Sequence, residues 1–228
     1  MEQADVFVVI PAYNENAVLR STISDLVTFG YSIVVVDDGS ATPARSCLEG
    51  LPVHCVRHDI NLGQGAALQT GDEFALSKGA RIIVHFDADG QHDARMVERL
   101  IEPIVNGKAG VTLGSRFLDP LDRREVPLEK RLLLKAGVFV SWCFTGLWLS
   151  DTHNGLRALS RAAAQQITLK ENGFAHATEI LGLLRRSKIP YSEIPVSIYY
   201  TEYSRKKGQS MLNSCNILID LVLRRLFG

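Results

Sequence analysis

At 228 residues, 46% hydrophobic and 22% charged, the chain has the composition of an ordinary folded protein, which excludes collagen-like and disordered classes. Its 25 basic and 25 acidic residues cancel, which argues against a general nucleic-acid binder. The balance hides a split. Residues 1–118 hold 9 basic and 15 acidic side chains, and residues 119–228 hold 16 and 10. An acidic half suited to a cation precedes a basic half suited to phosphates or an anionic surface.

In chain order, Val6–Ile10 reads as a strand ending in Pro11-Ala12-Tyr13-Asn14-Glu15. A helix follows to about Phe29, closed by Gly30. Ser32–Val36 is a second strand, ending in Asp37-Asp38-Gly39-Ser40. A short helix over 43–50, a strand Val53–Arg57 and a helix over 64–78 come next. Ile82–Phe86 is a fourth strand, Met96–Val105 a helix, and Gly110–Leu113 a strand ending at Gly114-Ser115-Arg116. This alternation predicts a doubly wound α/β sheet, mostly parallel, with helices on both faces. Ligands of such sheets gather where the strands end, and three strand ends here carry polar clusters.

Past residue 118 the pattern changes. A charged loop over 120–127 leads to an apolar helix over 128–149, then to Asp151-Thr152-His153-Asn154-Gly155-Leu156-Arg157. Within the apolar helix, Leu132–Leu149 has Lys135 as its only charge, at the lower edge of membrane-span length, which is about 20 residues. Two glycines and the nearby Lys130 and Arg131 favour a buried or membrane-surface helix over a span. Helices over 160–168 and 175–187, a strand near Ser192–Tyr200 and a C-terminal helix over 210–227 complete the expectation. We expect one domain over 1–228, with 1–118 as its nucleotide-binding part. Four cysteines without CxxC spacing and an N-terminus without a basic leader suggest a cytoplasmic location.

The strongest chemical signal is Ile82-Ile83-Val84-His85-Phe86-Asp87-Ala88-Asp89-Gly90-Gln91. A buried strand runs into two carboxylates spaced by one small residue. Like charges that close need a cation between them or a raised pKa on one. Two carboxylates with Gln91 nearby suit Mg²⁺ or Mn²⁺ that also holds a substrate's phosphates. A solvated Asp-Ala-Asp-Gly turn is the other reading. His85 reads as a hydrogen-bonded core residue. His92, His153 and His176 are either structural or help line the site.

Taken together, Val9–Glu15, Val36–Ser40, Asn61–Ala67, Asp87–Gln91 and Gly114–Arg116 resemble the family 2 glycosyltransferases of the GT-A fold. Asp151–Arg157 and Arg205–Ser210 resemble the dolichol-phosphate mannosyltransferase-type subgroup. The similarity runs from about Val8 to Ser210. It implies a metal-dependent, inverting transfer from a nucleoside-diphosphate sugar (UDP- or GDP-linked) to a polyprenyl phosphate or another membrane-linked acceptor. It places Pro11, Tyr13, Glu15, Asp38, Gly63, Gln64 and Asp87-Ala88-Asp89 at the donor, and Asp87, Asp89 and Gln91 at the metal. Arg205, beside Lys206 and Lys207, is expected at the diphosphate. Arg116, Arg131, Asn154 and Glu179 are expected at the acceptor, with Asp151 or Glu179 as general base if the acceptor is a hydroxyl.

Two departures from the family pattern stand out. Gln64 takes the place of a lysine common in relatives. The chain also ends at Gly228, without the transmembrane helices that many bacterial relatives append, so a short form is expected. It would sit at the inner face of the membrane, with a small membrane-protein partner or a second copy as a candidate companion. The alternatives are transfer to a sugar hydroxyl, or a non-catalytic nucleotide-sugar-binding protein. A sugar-phosphate nucleotidyltransferase would carry a glycine-rich basic loop after the first strand, and Pro11–Glu15 has neither character.

Overall fold

Apolar runs with no polar face can be buried only in the middle of a layered structure, and the central strands of this protein lie there. The computed structural model describes residues 2–119, 128–152, 154–173 and 175–199. Its elements are β1 (Val6–Ala12), α1 (Asn16–Val27), β2 (Ser32–Asp37), β3 (Val53–Arg57), α2 (Gln64–Ser77) and β4 (Ile82–His85). Then come α3 (Met96–Val105), β5 (Val111–Ser115), α4 (Leu128–Thr145), β6 (Arg157–Ser160), α5 (Arg161–Gln166), α6 (His176–Ser187) and β7 (Tyr191–Pro195). The strands form one sheet of order β3-β2-β1-β4-β6-β5-β7. All neighbours are parallel except β6, which is antiparallel to both β4 and β5.

Side-chain alternation along each strand sorts the core into two layers. Val6, Val8 and Ile10 of β1, with Ile33, Val35, Ile82 and Val84, meet Leu19, Ile23 and Leu26 of α1 and Val97 and Leu100 of α3. Phe7, Val9, Val34, Val36 and Ile83 face the other way. There they meet Ala67, Leu68 and Ala75 of α2, and Ile180, Leu181 and Leu184 of α6. Helix α2 comes closest at Gly71, where an added Cβ would lie 2.2 Å from Val9 Cγ1. The architecture is the expected mostly parallel α/β sheet of the GT-A type.

Several boundaries differ from expectation for identifiable reasons. The apolar helix stops at Thr145 rather than 149, because Gly146 turns to φ +72 while its N–H bonds the Trp142 carbonyl. The region over 43–50 makes only a 3₁₀ turn, Ala44–Cys47. The helix expected over 160–168 is shorter, because Ser160 caps it by accepting from the Ala163 N–H. Strand β6 falls in a stretch read as loop and helix, and β7 ends at Pro195 rather than Tyr200. The loop over 120–127, Arg205 with its basic neighbours, His153 and the C-terminal helix over 210–227 lie outside the described residues. Among the described residues, no helix is long and apolar enough to cross a membrane.

Candidate active site

Parallel strands β1, β2 and β4 end at one edge of the sheet, and β6 starts there because it runs the opposite way, with His85 paired to Arg157. That edge collects the polar clusters at the ends of β1, β2 and β4 and the loop before β6.

At the end of β2 the two aspartates are structural keystones. Asp37 accepts from the N–H groups of Ser40 and Ala44, each at 2.9 Å, and from Arg57 Nη1. Burial raises its pKa, but these hydrogen bonds outweigh burial and hold it below the ordinary value. Asp38 accepts from Leu62 N (2.9 Å) and Gly63 N (2.7 Å), and its Oδ1 lies 2.7 Å from His58 Nδ1. His58 Nε2 in turn lies 3.0 Å from Thr70 Oγ1. The Asp38 carboxylate therefore ties the loop at 62–63 to β2. Gly39 is confined there too: at φ +71, an added Cβ would stand 2.5 Å from the Ile60 carbonyl carbon. Beside it, the Ser40 hydroxyl accepts from Asn14 N and Asn14 Oδ1 accepts from Ala41 N, which fixes the Pro11–Glu15 loop. Tyr13 is 46% exposed.

Helix α2 begins at Gln64, after Gly63 at φ +108. The carbonyl of Asn172 accepts from Gly65 N (2.7 Å) and Ala66 N (3.3 Å), so this helix N-terminus is already capped by the chain itself. Gln64 turns into the site, its Nε2 3.2 Å from Asp87 Oδ1. His92 Nε2 stands 3.2 Å from Asp87 Oδ2. Gln91 gives both its backbone N–H (3.1 Å) and its side-chain Nε2 (2.7 Å) to Asp89. Thr22 of α1 donates to the Ala88 carbonyl at 3.4 Å and pins the small residue between the carboxylates.

The two aspartates are driven apart electrostatically. Burial raises Asp87, yet the hydrogen bond and charge of His92, with the charges of Arg157 and His176, bring it below the ordinary carboxylate value. Burial raises Asp89 as well; the Asp87 charge, then that of Glu15, adds to the rise, against the Gln91 N–H and the His92 charge. A pair that repels in this way, with oxygen donors only, suits a hard divalent cation. Among the described residues, no three His, Cys, Asp or Glu side chains form a complete metal cage. Two carboxylates fit a cation whose remaining ligands are water and a substrate's phosphates.

The expected acceptor residues divide. Arg116 and Asp151 form a buried bidentate pair, Nε to Oδ2 at 2.6 Å and Nη2 to Oδ1 at 2.7 Å. Both Asp151 oxygens are thus committed to Arg116. Glu179 accepts from the N–H groups of Lys170 and Glu171 at 2.9–3.1 Å, holding that loop rather than facing the aspartates. Arg131 lies half-buried on α4. Asn154 Oδ1 accepts from Leu156 N at 2.9 Å, and its carbonyl accepts from Arg157 Nη2 at 3.1 Å. Beneath the site, His85 Nε2 lies 2.9 Å from Asp72 Oδ1, with both side chains buried. Sequence reading assigned no role to Asp72. The signal for Asp72 was a carboxylate on the same helix stripe as buried Leu68 and Ala75.

The mostly parallel seven-stranded sheet with helices on both faces is a GT-A-type α/β fold. The chain belongs to glycosyl transferase family 2, whose pattern matches residues 7–168. It is 34% identical over 226 residues to an uncharacterized protein of Methanocaldococcus jannaschii, covering 98% of this chain and 93% of that one. It is 29% identical to the UDP-N-acetylglucosamine–dolichyl-phosphate N-acetylglucosaminyltransferase of Methanococcus voltae, covering 97% and 96%. In fold it is similar to glucosyl-3-phosphoglycerate synthase of Mycobacterium tuberculosis, crystallised with Mn²⁺ and UDP-glucose. There the TM-score is 0.66 and the identity 16%, over 97% of this chain and 77% of that one.

His176, buried at the start of α6, supplies a stability test. Burial, then the Arg157 charge, pushes its pKa down to about 4. The unfolded chain takes up this proton near the ordinary histidine value while the folded chain resists until about pH 4, so stability falls as pH falls across that window. The expected loss is about 3 kcal/mol. His176→Asn, which keeps a donor for the Gly173 carbonyl, should flatten this acid limb in urea unfolding measured between pH 7 and pH 4. A limb as steep as that of the wild type would rule out His176 as its source.

Proposed function

We propose that the protein is a metal-dependent, inverting glycosyltransferase that moves a sugar from a nucleoside-diphosphate sugar to a polyprenyl phosphate or similar membrane-linked acceptor. The observation that carries this reading is the Asp87–Asp89 pair at the sheet edge, in a chain matched along almost its whole length by a dolichyl-phosphate glycosyltransferase. A Mg²⁺ or Mn²⁺ ion bound there supplies charge stabilisation for the departing nucleoside diphosphate, an effect worth several kcal/mol. Asp87, Asp89 and Gln91 would hold the ion, and through it the diphosphate, while Gln64 and His92 steady Asp87. Pro11, Tyr13, Glu15 and Gly63 form the nucleoside side, and Asp38 holds the Gly63 loop in place through Leu62 N and Gly63 N. On the resemblance of Arg205–Ser210 to the family motif, we assign Arg205 to the diphosphate.

In the reaction an acceptor oxygen forms a bond to the anomeric carbon as the bond from that carbon to the diphosphate oxygen breaks. Both carboxylates a hydroxyl acceptor would call on, Asp151 and Glu179, are engaged in structural hydrogen bonds. That supports a phosphate acceptor, whose oxygen is already ionised and needs only positioning. Arg131 and Arg116 take the positioning role. Asp151 fixes the orientation of Arg116, and Asn154 lies beside them in the sequence motif.

Asp89→Ala should abolish transfer with cooperative unfolding retained. The assay follows glycosyl-phosphate-lipid formation from a panel of UDP- and GDP-sugars with Mn²⁺ or Mg²⁺; undiminished turnover would sink the mechanism. In the same assay Arg131→Ala should raise the KM for the lipid more than that for the donor. Equal rises would remove Arg131 from the acceptor.

A second reading concerns location. On and just after α4, Leu132 (71% exposed), Phe139, Trp142 and Trp148 (65% exposed) face outward, and the two tryptophan rings meet edge-on at 5.6 Å. Arg185 lies beside Gly146 in the same area. Exposed aromatics with cations alongside suit the interface of an anionic bilayer, which supports peripheral attachment at the inner membrane face. Trp142→Ala with Trp148→Ala should lower co-sedimentation with phosphatidylglycerol vesicles. Unchanged binding would remove this patch from membrane attachment.

A further inference from the structure

Strand β6 brings the segment 154–157 of the basic half against the metal pair of the acidic half. At Gly155 an added Cβ would stand 2.3 Å from Asp87 Oδ2 and 2.7 Å from Oδ1. The backbone at Gly155 does not adopt a positive φ, so space rather than conformational freedom demands glycine here. The carboxylate of Asp87 fills the volume a side chain would need.

Two residues on, Arg157 is 4% exposed, and its register partner on β4 is His85, two residues before Asp87. Among the described residues its guanidinium makes one hydrogen bond, to the Asn154 carbonyl, and its buried Nε has no acceptor. Among the described residues it has no ion-pair partner within 4.0 Å. A buried cation with so few direct partners is costly unless negative charge stands close. Burial pulls its pKa down, and the charges of Asp87 and Asp72 oppose that pull.

We propose that Gly155 and Arg157 are positioning residues for Asp87: Gly155 reserves the space in which the carboxylate lies, and Arg157 compensates its charge from behind. The proposal rests on the reading of Asp87 as a ligand of the donor's metal ion. Neither residue touches the substrate. Both act by holding the first carboxylate in one place, with Gln64 and His92 bonding its two oxygens.

The contact is tested by a thermal double-mutant cycle that needs no metal. Gly155→Ala should lower the midpoint by about 5 °C in the otherwise wild-type chain. In the Asp87→Ala background, where the obstructing oxygens are gone, most of that drop should vanish. Equal drops in both backgrounds would overturn the steric half of the proposal. Mn²⁺ binding in the presence of UDP, followed by electron paramagnetic resonance, tests the consequence. Gly155→Ala and Arg157→Met should weaken Mn²⁺ affinity about 10- to 100-fold, with Arg157→Lys recovering part of the loss. A folded Arg157→Met that binds Mn²⁺ like the wild type would overturn the role of the arginine. Should that variant fail to fold, the neutral Arg157→Gln carries the measurement, and unchanged affinity there would overturn the role equally. Wild-type protein that takes up no Mn²⁺ with UDP would instead overturn the metal reading, while the thermal cycle still reports on the contact.

Discussion

Two carboxylates two residues apart, carried to a partly buried sheet edge, repel each other, and much of this structure is arranged around that repulsion. Asp87 is surrounded by donors and positive charge: Gln64, His92 and, further back, Arg157. Asp89 keeps fewer compensations and is the one whose ionisation burial and Asp87 oppose. The asymmetry leaves a site short of positive charge on one side only. Under the proposed function, a cation would meet one carboxylate already oriented and another whose anionic form the cation would favour.

The same economy appears in the supporting loops. Asp37 and Asp38 stand side by side, yet neither shows the exposure of a ligand-seeking group; each binds backbone N–H groups and one basic side chain. They tie a run of irregular backbone to the end of β2. Arg116 and Asp151 do likewise on the far side of the sheet edge, through a bidentate pair with both side chains buried. Breaking such a pair by removing one partner leaves an uncompensated buried charge, which is why its members are poor candidates for proton transfer.

The parallel strands were legible because Ile33–Val36 and Ile82–Val84 are apolar on both faces, which leaves an interior strand as the natural fate. The placement of Asp87 and Asp89 just past a strand end was legible from the apolar run that precedes them. Strand β6 was not: Arg157-Ala-Leu-Ser is four residues long, starts with a charge and shows no decisive period. Its antiparallel insertion depends on long-range pairing with β4 and β5. Partner choice was hidden for the same reason. Arg116 and Asp151 are 35 residues apart, and Glu179 reaches a loop eight or nine residues before it. Gly155 was quoted as part of a motif, but its purpose emerges only once Asp87 is seen filling the space beside it.

The insertion of β6 also bears on how such a chain can be divided. Charge splits the sequence near residue 118, and a cut there would look natural on a map of composition. In the sheet, however, β4 and β5 come from the acidic half, and the strand between them comes from the basic one. A fragment ending near 118 would hold two strands facing an open slot, each with a row of N–H and C=O groups lacking partners. Such a slot invites strand exchange with another copy. The two halves can diverge in their loops, but they cannot be traded as separate modules without carrying that four-residue strand along.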